Sequence, residues 1–506
     1  MILLTVILLT WGRVSVQSEL QNLQSVVETF VAGASQPVVL DPGEEPLALI
    51  AGQWGFSQWN GRLVLQAWNA ERNLVRKIAG MKLQRRDRIA LVTERFPKTE
   101  GELQIADLSA PANHELGRKT SRVAFRERFQ LMLSREFPQW RLEEVTVEQN
   151  LEHSLSASYA RAFLRSGSRG IAVIAAPPDT SDPAGIVACG LIWLNYLRTR
   201  EKPLTIQTLA LYLPLKGERA AGLRAAWINR AFVECRLFAY DDRDRCGEID
   251  FADCGNIDST LPPCRRPELP NGQNPVLSEM PGDVARVEQS DGSVSFQIRG
   301  LEFARASGGK LTCGIARRTR CTPGNAVAMA REISRVRSAD AEDGQHPLYS
   351  ANPEGWLESQ VRDDPAAIDA SLLREPLYGQ VPVFGGGDRG IIDLLGIDHT
   401  GRLVVIEIKA TADLQLPFQS LDYWLRVRKH LAAGDFERLG YFAGQVIRPD
   451  PPRILLVAPA LEFHSTTETL LEALMPSIEF TRVGLAADWR TGLRVMFRLR
   501  GSERPR

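Results

Sequence analysis

The sequence predicts a multidomain α/β protein. It comprises a C-terminal α/β domain over 346–499, an upstream α/β domain over 115–240 that repeats part of it, and a small β-rich domain over 45–110. Three observations support this. At 506 residues the chain is too long for one ordinary core. Apolar, β-branched runs broken by turn residues and followed by a helical period occur near residue 170 and again near residue 400. Between 45 and 110 the pattern changes to two-residue alternation and hairpin turns.

Charge and cysteine usage narrow the function classes. There are 61 basic and 61 acidic residues, so no whole-molecule field attracts a polyanion and any nucleic-acid surface must be local. Seven cysteines without a Cys-x-x-Cys argue against a zinc ribbon and for reduced, structural thiols; a Cys313–Cys321 disulfide is the alternative. The apolar run Met1–Thr10 resembles a signal peptide, with export the alternative, but has no basic residue before it and is too short to cross a bilayer. We therefore expect a buried strand there, a cytoplasmic protein and no membrane partner.

Within 1–44, Leu20, Leu23, Val26, Val27 and Phe30 repeat at helical spacing after that strand. In the 45–110 domain, Asn60-Gly61 between two apolar runs marks a hairpin, and further strands at 88–92 and 102–105 suit a small barrel or sandwich. Its basic residues Arg72, Arg76, Lys77, Lys82, Arg85, Arg86 and Arg88 either track phosphates or belong to a mixed-sign β surface. The 115–240 domain opens on a helix over 118–135, then a hairpin over 159–177, a helix over 185–200 and a strand over 205–213. Residues 241–283 are rich in Asp, Pro, Gly and Asn and read as a linker or long loop. A β-hairpin around Asp291-Gly292 and a connecting helix fill 284–345, where Arg331, Arg335 and Arg337 form a solvated helix face, the alternative being contact with a phosphate backbone.

In 346–499, Arg389–Ile397 and Arg402–Ala410 flank a short turn and form a hairpin. A turn centred near Thr400 sets Asp393 across from Glu407, with Cβ atoms roughly 5 Å apart. The strand period puts Lys409 on the face of Glu407. Both strands are otherwise apolar on both faces, which makes an acid there costly unless a metal or a partner compensates it. The plainer alternative for Glu-x-Lys alone is a half-exposed ion pair. Upstream, Glu358 sits on a helix opened by Asn352 and Pro353. Downstream, Gln419 and Tyr423 share a helix face at i and i+4, followed by the basic run Arg426, Arg428, Lys429, His430.

The series Glu358, Asp393, Glu407-x-Lys409, Gln419-x-x-x-Tyr423 resembles the PD-(D/E)xK nucleases, in particular the NucS-type endonucleases and the RecB-like group. The resemblance implies a restriction-endonuclease-like α/β/α domain and a metal-dependent endonuclease hydrolysing DNA phosphodiester bonds. Asp393, Glu407 and the Ile408 carbonyl would hold Mg²⁺ or Mn²⁺, Lys409 would orient water, and Glu358 would complete the catalytic set. Gln419, Tyr423, Arg426, Arg428 and Lys429 would contact DNA. Selectivity for branched, mismatched or single-stranded DNA is expected, in repair or defence, with the protein a homodimer or an intramolecular pseudo-dimer. The alternative is a non-catalytic nucleic-acid-binding protein that retains a nuclease fold.

The upstream repeat, for which the plainer alternative is the general likeness of hairpin, helix and strand units, is expected to lack chemistry. Laying Val173-Ile174 on Val405-Ile406 puts Arg161 at Asp393, Ala175 at Glu407 and Pro177 at Lys409, with Leu191 and Asn195 replacing Gln419 and Tyr423. Such a copy would pack against the active domain, or offer Arg161, Arg165, Arg169, Arg198 and Arg200 to a phosphate backbone.

Overall fold

A computed structural model describes residues 20–42, 44–59, 62–69, 72–95, 99–250, 259–264, 280–288, 293–341, 344–385 and 388–504. The Met1–Thr10 run, the Asn60-Gly61 and Asp291-Gly292 turns and much of 241–283 lie outside these residues. Helix α1 (20–33) covers an antiparallel sheet of β1 (Pro37–Leu40), β2 (Leu47–Ala48), β3 (Trp54–Trp59), β4 (Arg62–Trp68), β5 (Asn73–Gln84), β6 (Arg88–Arg95) and β7 (Thr99–Asp107), in the order 2-1-7-6-5-4-3. Leu63, Leu65, Leu74, Ile78, Ile89 and Leu103 point to one face and pack on Val27 and Val31. One apolar face needs one covering layer, so the sheet is single, not the expected barrel or sandwich, and the residues before 45 belong to it. Arg76 pairs with Asp41, Arg72 with Glu44 and Lys82 with Glu102, a mixed-sign surface.

Helix α2 (Pro111–Glu136) leads into β8 (Arg141–Thr146), β9 (Ala160–Ser166), β10 (Arg169–Ala175), α3 (Ile186–Arg200), β11 (Thr205–Pro214), α4 (Glu218–Ala225), β12 (Glu234–Tyr240) and β13 (Cys246–Ile249). Strand β13 lies where the sequence suggests a linker, because its backbone pairs with the edge of β12. Strands β14 (Val284–Glu288), β15 (Val294–Ile298), β16 (Leu301–Ser307), β17 (Lys310–Cys313) and β18 (Thr319–Arg320) form a five-stranded sheet under α5 (Pro323–Val336), more than the single hairpin expected. The tight β17–β18 hairpin brings Cys313 and Cys321 to a Cα separation of 5.7 Å, and they form a disulfide, correcting the expectation of reduced thiols for this pair. Cys189, Cys235, Cys246 and Cys264 are free.

The last unit comprises α6 (Pro347–Ser350), α7 (Pro353–Asp363), α8 (Pro365–Ile368), β19 (Tyr378–Gly385), β20 (Asp388–Ile397), β21 (Leu403–Ile408), α9 (Leu416–Ala432), α10 (Asp435–Arg438), β22 (Arg453–Pro459), α11 (Thr467–Ala473), β23 (Phe480–Leu485) and β24 (Val495–Arg500). Its sheet, in the order 19-20-21-22-23-24, repeats the sheet 8-9-10-11-12-13 strand for strand. In both, the first two pairings are antiparallel, the next two parallel and the last antiparallel. Helices α3 and α9 occupy the same crossover, as do α4 and α11. The repeat thus extends well beyond the expected hairpin, helix and strand.

Hydrogen bonding sets the register between the two halves. Ala176 N–H donates to Tyr212 O as Lys409 N–H donates to Val457 O, and both fourth strands end in proline, Pro214 and Pro459. Ile174 therefore occupies the place of Glu407, and Ala176 that of Lys409. Arg161, opposite Ile174, takes the place of Asp393. The sequence overlay that put Ala175 and Pro177 there is one residue out. A one-residue slip exchanges the two faces of a strand: Val173 packs with Phe125 and Phe129 of α2, whereas Val405 packs with Tyr423 and Val427 of α9.

The two halves share one core. Helix α3 packs on α11 and α4 packs on α9, so counterpart helices make the same contact twice. Between them Ile228 and Leu474 form an antiparallel bridge, flanked by Asn229 N–H to Ala473 O at 2.8 Å and Met475 N–H to Trp227 O at 3.0 Å. Trp227 meets Trp424 edge-on at 5.0 Å. Buried Arg224 donates to both carboxylate oxygens of Asp422, the shorter bond being 2.8 Å, and to Gln415. Among the described residues no helix is long and apolar enough to cross a membrane.

Removing one partner of a buried pair strands the other. Arg224→Ala is expected to destabilise the protein by about 3 kcal/mol in chemical denaturation. Arg224→Ala/Asp422→Ala should cost less than the sum of the two single variants. Strict additivity would show that the pair does not couple the halves.

Candidate active site

The β20–β21 ladder pairs Leu394 with Ile406, Leu395 with Val405 and Ile397 with Leu403, the register expected from a turn at Thr400. Asp398 fixes that turn by accepting from Thr400 N–H, Thr400 Oγ1 and Arg402 N–H at 2.9, 2.6 and 3.1 Å. Carried one step further, the register sets Asp393 opposite Glu407. The ladder ends there, and the Ile408 N–H donates to Asp393 Oδ2 at 2.9 Å. Glu407 is 1% exposed; its Oε1 lies 3.8 Å from Lys409 Nζ and its Oε2 has no hydrogen-bond partner. Lys409 Nζ lies 3.7 Å from Asp413 Oδ2.

Helix α7 brings further acids. Asn352, at φ 43°, caps it by accepting from Gly355 N–H at 3.0 Å and donates to Gly300 O at 3.1 Å. Gly300, at φ +73°, packs so closely on Gly355 that a Cβ would collide with its carbonyl, so only glycine permits this contact. Arg337, fully buried, donates to the carbonyls of Leu348 and Asn352 at 2.9 and 3.0 Å and lies 4.7 Å over the Trp356 ring. It is therefore neither on the solvated face that the sequence suggests nor free for phosphate; it anchors the start of α7. Glu354 and Glu358 follow one turn apart. Glu358 accepts from Gln380 Nε2 at 2.6 Å and from Arg362.

The electrostatics are dominated by burial. It pushes the Asp393 carboxyl up to about 7, against the opposing Ile408 N–H, with Glu358 and Glu354 adding to the rise and Lys409 offsetting it. Glu407 is held well above the ordinary carboxylate range by burial and by the Asp393 charge. Burial also raises Glu358, partly offset by Arg362 and Gln380. For Lys409, burial pulls downward, but Glu407, Glu354, Asp413 and Asp393 outweigh it and keep the ammonium charged. Glu354 and Asp413 escape the sequence reading, although each stands four residues from a residue singled out there, one helical turn before Glu358 and just after Lys409. Among the described residues Glu354 makes no hydrogen bond or ion pair, yet its charge acts on Asp393, Glu407 and Lys409.

Helix α9 closes the opposite side. Gln419 Nε2 donates to Tyr423 Oη at 3.2 Å, and burial and the Glu407 charge raise the Tyr423 phenol. A Cβ on Gly390 would run into the Arg426 guanidinium and the Tyr423 ring, so Arg426 lies over the start of the β20–β21 hairpin. Gln419, Tyr423 and Arg426 thus share one face. Arg428 does not, since 100° per residue carries it to the other side of the helix. Its guanidinium lies 4.9 Å over Trp227 and 5.3 Å over Trp424, between the two halves. Lys429 is exposed and also off that line, and His430 is buried between Ser259 at 2.9 Å and Asp435 at 2.6 Å. The expected DNA contacts at Arg428 and Lys429 therefore lie away from the acids.

The arginines of the upstream half are likewise not an open array. Arg161 is buried and donates to the carbonyls of Glu148 and Ser156; Arg198 donates to those of Ile206 and Phe232, each at 2.8 Å. Arg200 pairs with Glu144 and Glu201, each at 2.7 Å; Arg165 and Arg169 are exposed, Arg165 donating to Gly167 O at 3.1 Å and Arg169 lying 5.6 Å over the Trp140 ring.

No protein-family model matches the chain, and no curated protein matches it. Among the described residues no three His, Cys, Asp or Glu side chains form a ready metal cage. A magnesium-class cation does not need one, since it takes one or two carboxylates and keeps several waters. The partnerless buried oxygen of Glu407, Asp393 beside it and the surplus of carboxylates over cations fit such an ion. The all-oxygen donor set favours Mg²⁺ or Mn²⁺ over zinc.

Both carboxyls bind protons more tightly in the folded state. Their contribution to metal-free stability is full below about pH 4 and lost as the pH rises through about 7 for Asp393. In EDTA, Asp393→Asn should therefore melt above the wild type at about pH 8 and level with it near pH 4. Added Mg²⁺ should raise the wild-type midpoint at the higher pH but not that of the variant. Equal midpoints at the higher pH would mean that Asp393 is not a buried, destabilised carboxylate.

Proposed function

We propose that the chain is a metal-dependent DNA endonuclease of the PD-(D/E)xK type. Its last sheet, with α7 and α9, would be a restriction-endonuclease-like α/β/α domain acting on branched, mismatched or single-stranded DNA in repair or defence. The observation that carries this reading is the buried Glu407, with one carboxylate oxygen lacking any partner, beside Asp393 and 3.8 Å from Lys409.

Asp393, Glu407 and the Ile408 carbonyl would hold Mg²⁺ or Mn²⁺. When bound, such an ion lowers the pKa of water and neutralises charge on the phosphoryl oxygens. Asp393 must lose its proton to serve, which its raised pKa places near neutrality. Lys409, kept charged by its acidic neighbours, donates to the attacking water and to a non-bridging phosphate oxygen. Glu358 is held still by Arg362 and Gln380 and completes the acidic wall. Gln419 and Arg426 contact the phosphate backbone, which positions DNA without reading its sequence.

Labelled flap, bubble, mismatched and single-stranded oligonucleotides should be cut with Mg²⁺ and spared in EDTA. Asp393→Ala and Glu407→Ala should abolish cleavage, and Lys409→Ala should slow it by about 100-fold or more. Metal-independent cutting, or undiminished activity in these variants, would refute the assignment. Cleavage confined to one sequence in perfect duplex would refute the structural preference, and tight binding without cleavage would leave a nucleic-acid-binding role.

A further inference from the structure

The contact between the two six-stranded units has the form of a two-fold dimer interface. Helix α3 meets α11 and its counterpart α9 meets α4, the reciprocal pairing that defines an isologous contact. The Ile228–Leu474 bridge lies at its centre, joining the segments that follow α4 and α11. One continuous core runs through it from Ile186 and Trp193 to Trp424 and Leu470. This apolar surface is consumed within a single chain, so the same face cannot pair with a second copy.

The two halves are not chemically equivalent. The positions of Asp393, Glu407 and Lys409 are filled by Arg161, Ile174 and Ala176 in the other half. Arg161 is not a displaced surface residue but a buried cation over Trp193, bonded to two backbone carbonyls. A guanidinium fixed there repels a divalent cation, and neither Ile174 nor Ala176 supplies a ligand or a proton. A duplex has its own local two-fold symmetry, so a two-fold protein sets one half against each strand.

We infer that the chain is a self-contained pseudo-dimer with one working half, which breaks one strand of a bound duplex per encounter and leaves the other intact. Each turnover adds one water across a single P–O bond, giving a phosphate monoester on one side of the nick and a hydroxyl on the other. This inference rests on the hydrolytic reading above.

The test uses the full chain with Mg²⁺ and an excess of covalently closed circular duplex bearing one bubble, together with light scattering. Nicked circles should accumulate, with linear DNA absent while closed circles remain, and the particle should have the mass of one 56.2 kDa chain. Linear DNA rising in step with the loss of closed circles, or a particle of two chains, would overturn this inference while leaving the nuclease assignment standing. Circles that stay closed would overturn that assignment and this inference with it.

Discussion

Helix α3 is apolar on nearly every side, with all of Ile186–Leu194 buried, and this constraint shapes the molecule. A helix of that kind cannot lie on the surface of a sheet; once its inner face covers β10 and β11, its outer face must also be covered. The cover comes from α11 of the last unit, and in return α4 lies against α9. The same packing holds α9 in place, and α9 in turn holds Gln419, Tyr423 and Arg426 beside the acids. The half without the acidic cluster is therefore a structural condition for the half that has it.

The candidate site stores the opposite kind of energy. Burial works against the ionised forms of Asp393, Glu407 and Glu358, and the nearest compensating side-chain cations are Lys409 and Arg362. A fold that keeps such a cluster must hold it rigidly, since relaxation would expose the acids to water. Here the restraint comes from three directions: the β20–β21 ladder, α9, and the α7 cap pinned by Gly300, Asn352 and Arg337. The five-stranded sheet, which carries none of the acids, contributes through that cap.

Much of this was legible along the chain. The hairpin register followed from the turn residues Asp398–Gly401, since strand periodicity and turn length together determine which residues face each other. Asp393, Glu407, Lys409, Gln419 and Tyr423 were found because their spacing lies within single elements or one hairpin. Glu354 and Asp413 were missed because their relation to the site is through space. Arg428 and Lys429 lie off the face of Tyr423 because adjacency in sequence is not adjacency on a helix. Arg337 was read as solvated because no local pattern shows that the carbonyls of Leu348 and Asn352 need a donor.

The sequence by itself determined the α/β class, the hairpin with its facing acids, and the existence of an upstream segment built in the same order. These depend on periods of two and 3.6 residues and on turn chemistry, which are local. Only the tertiary structure decided that the repeat spans whole six-stranded sheets, that its register is one residue from the sequence overlay, and that the two halves share one core about a pseudo-two-fold contact. A buried strand is apolar on both faces, so its sequence does not say which side meets which helix. That choice is made by the hydrogen bonds to the neighbouring strand and by the helices that cover it.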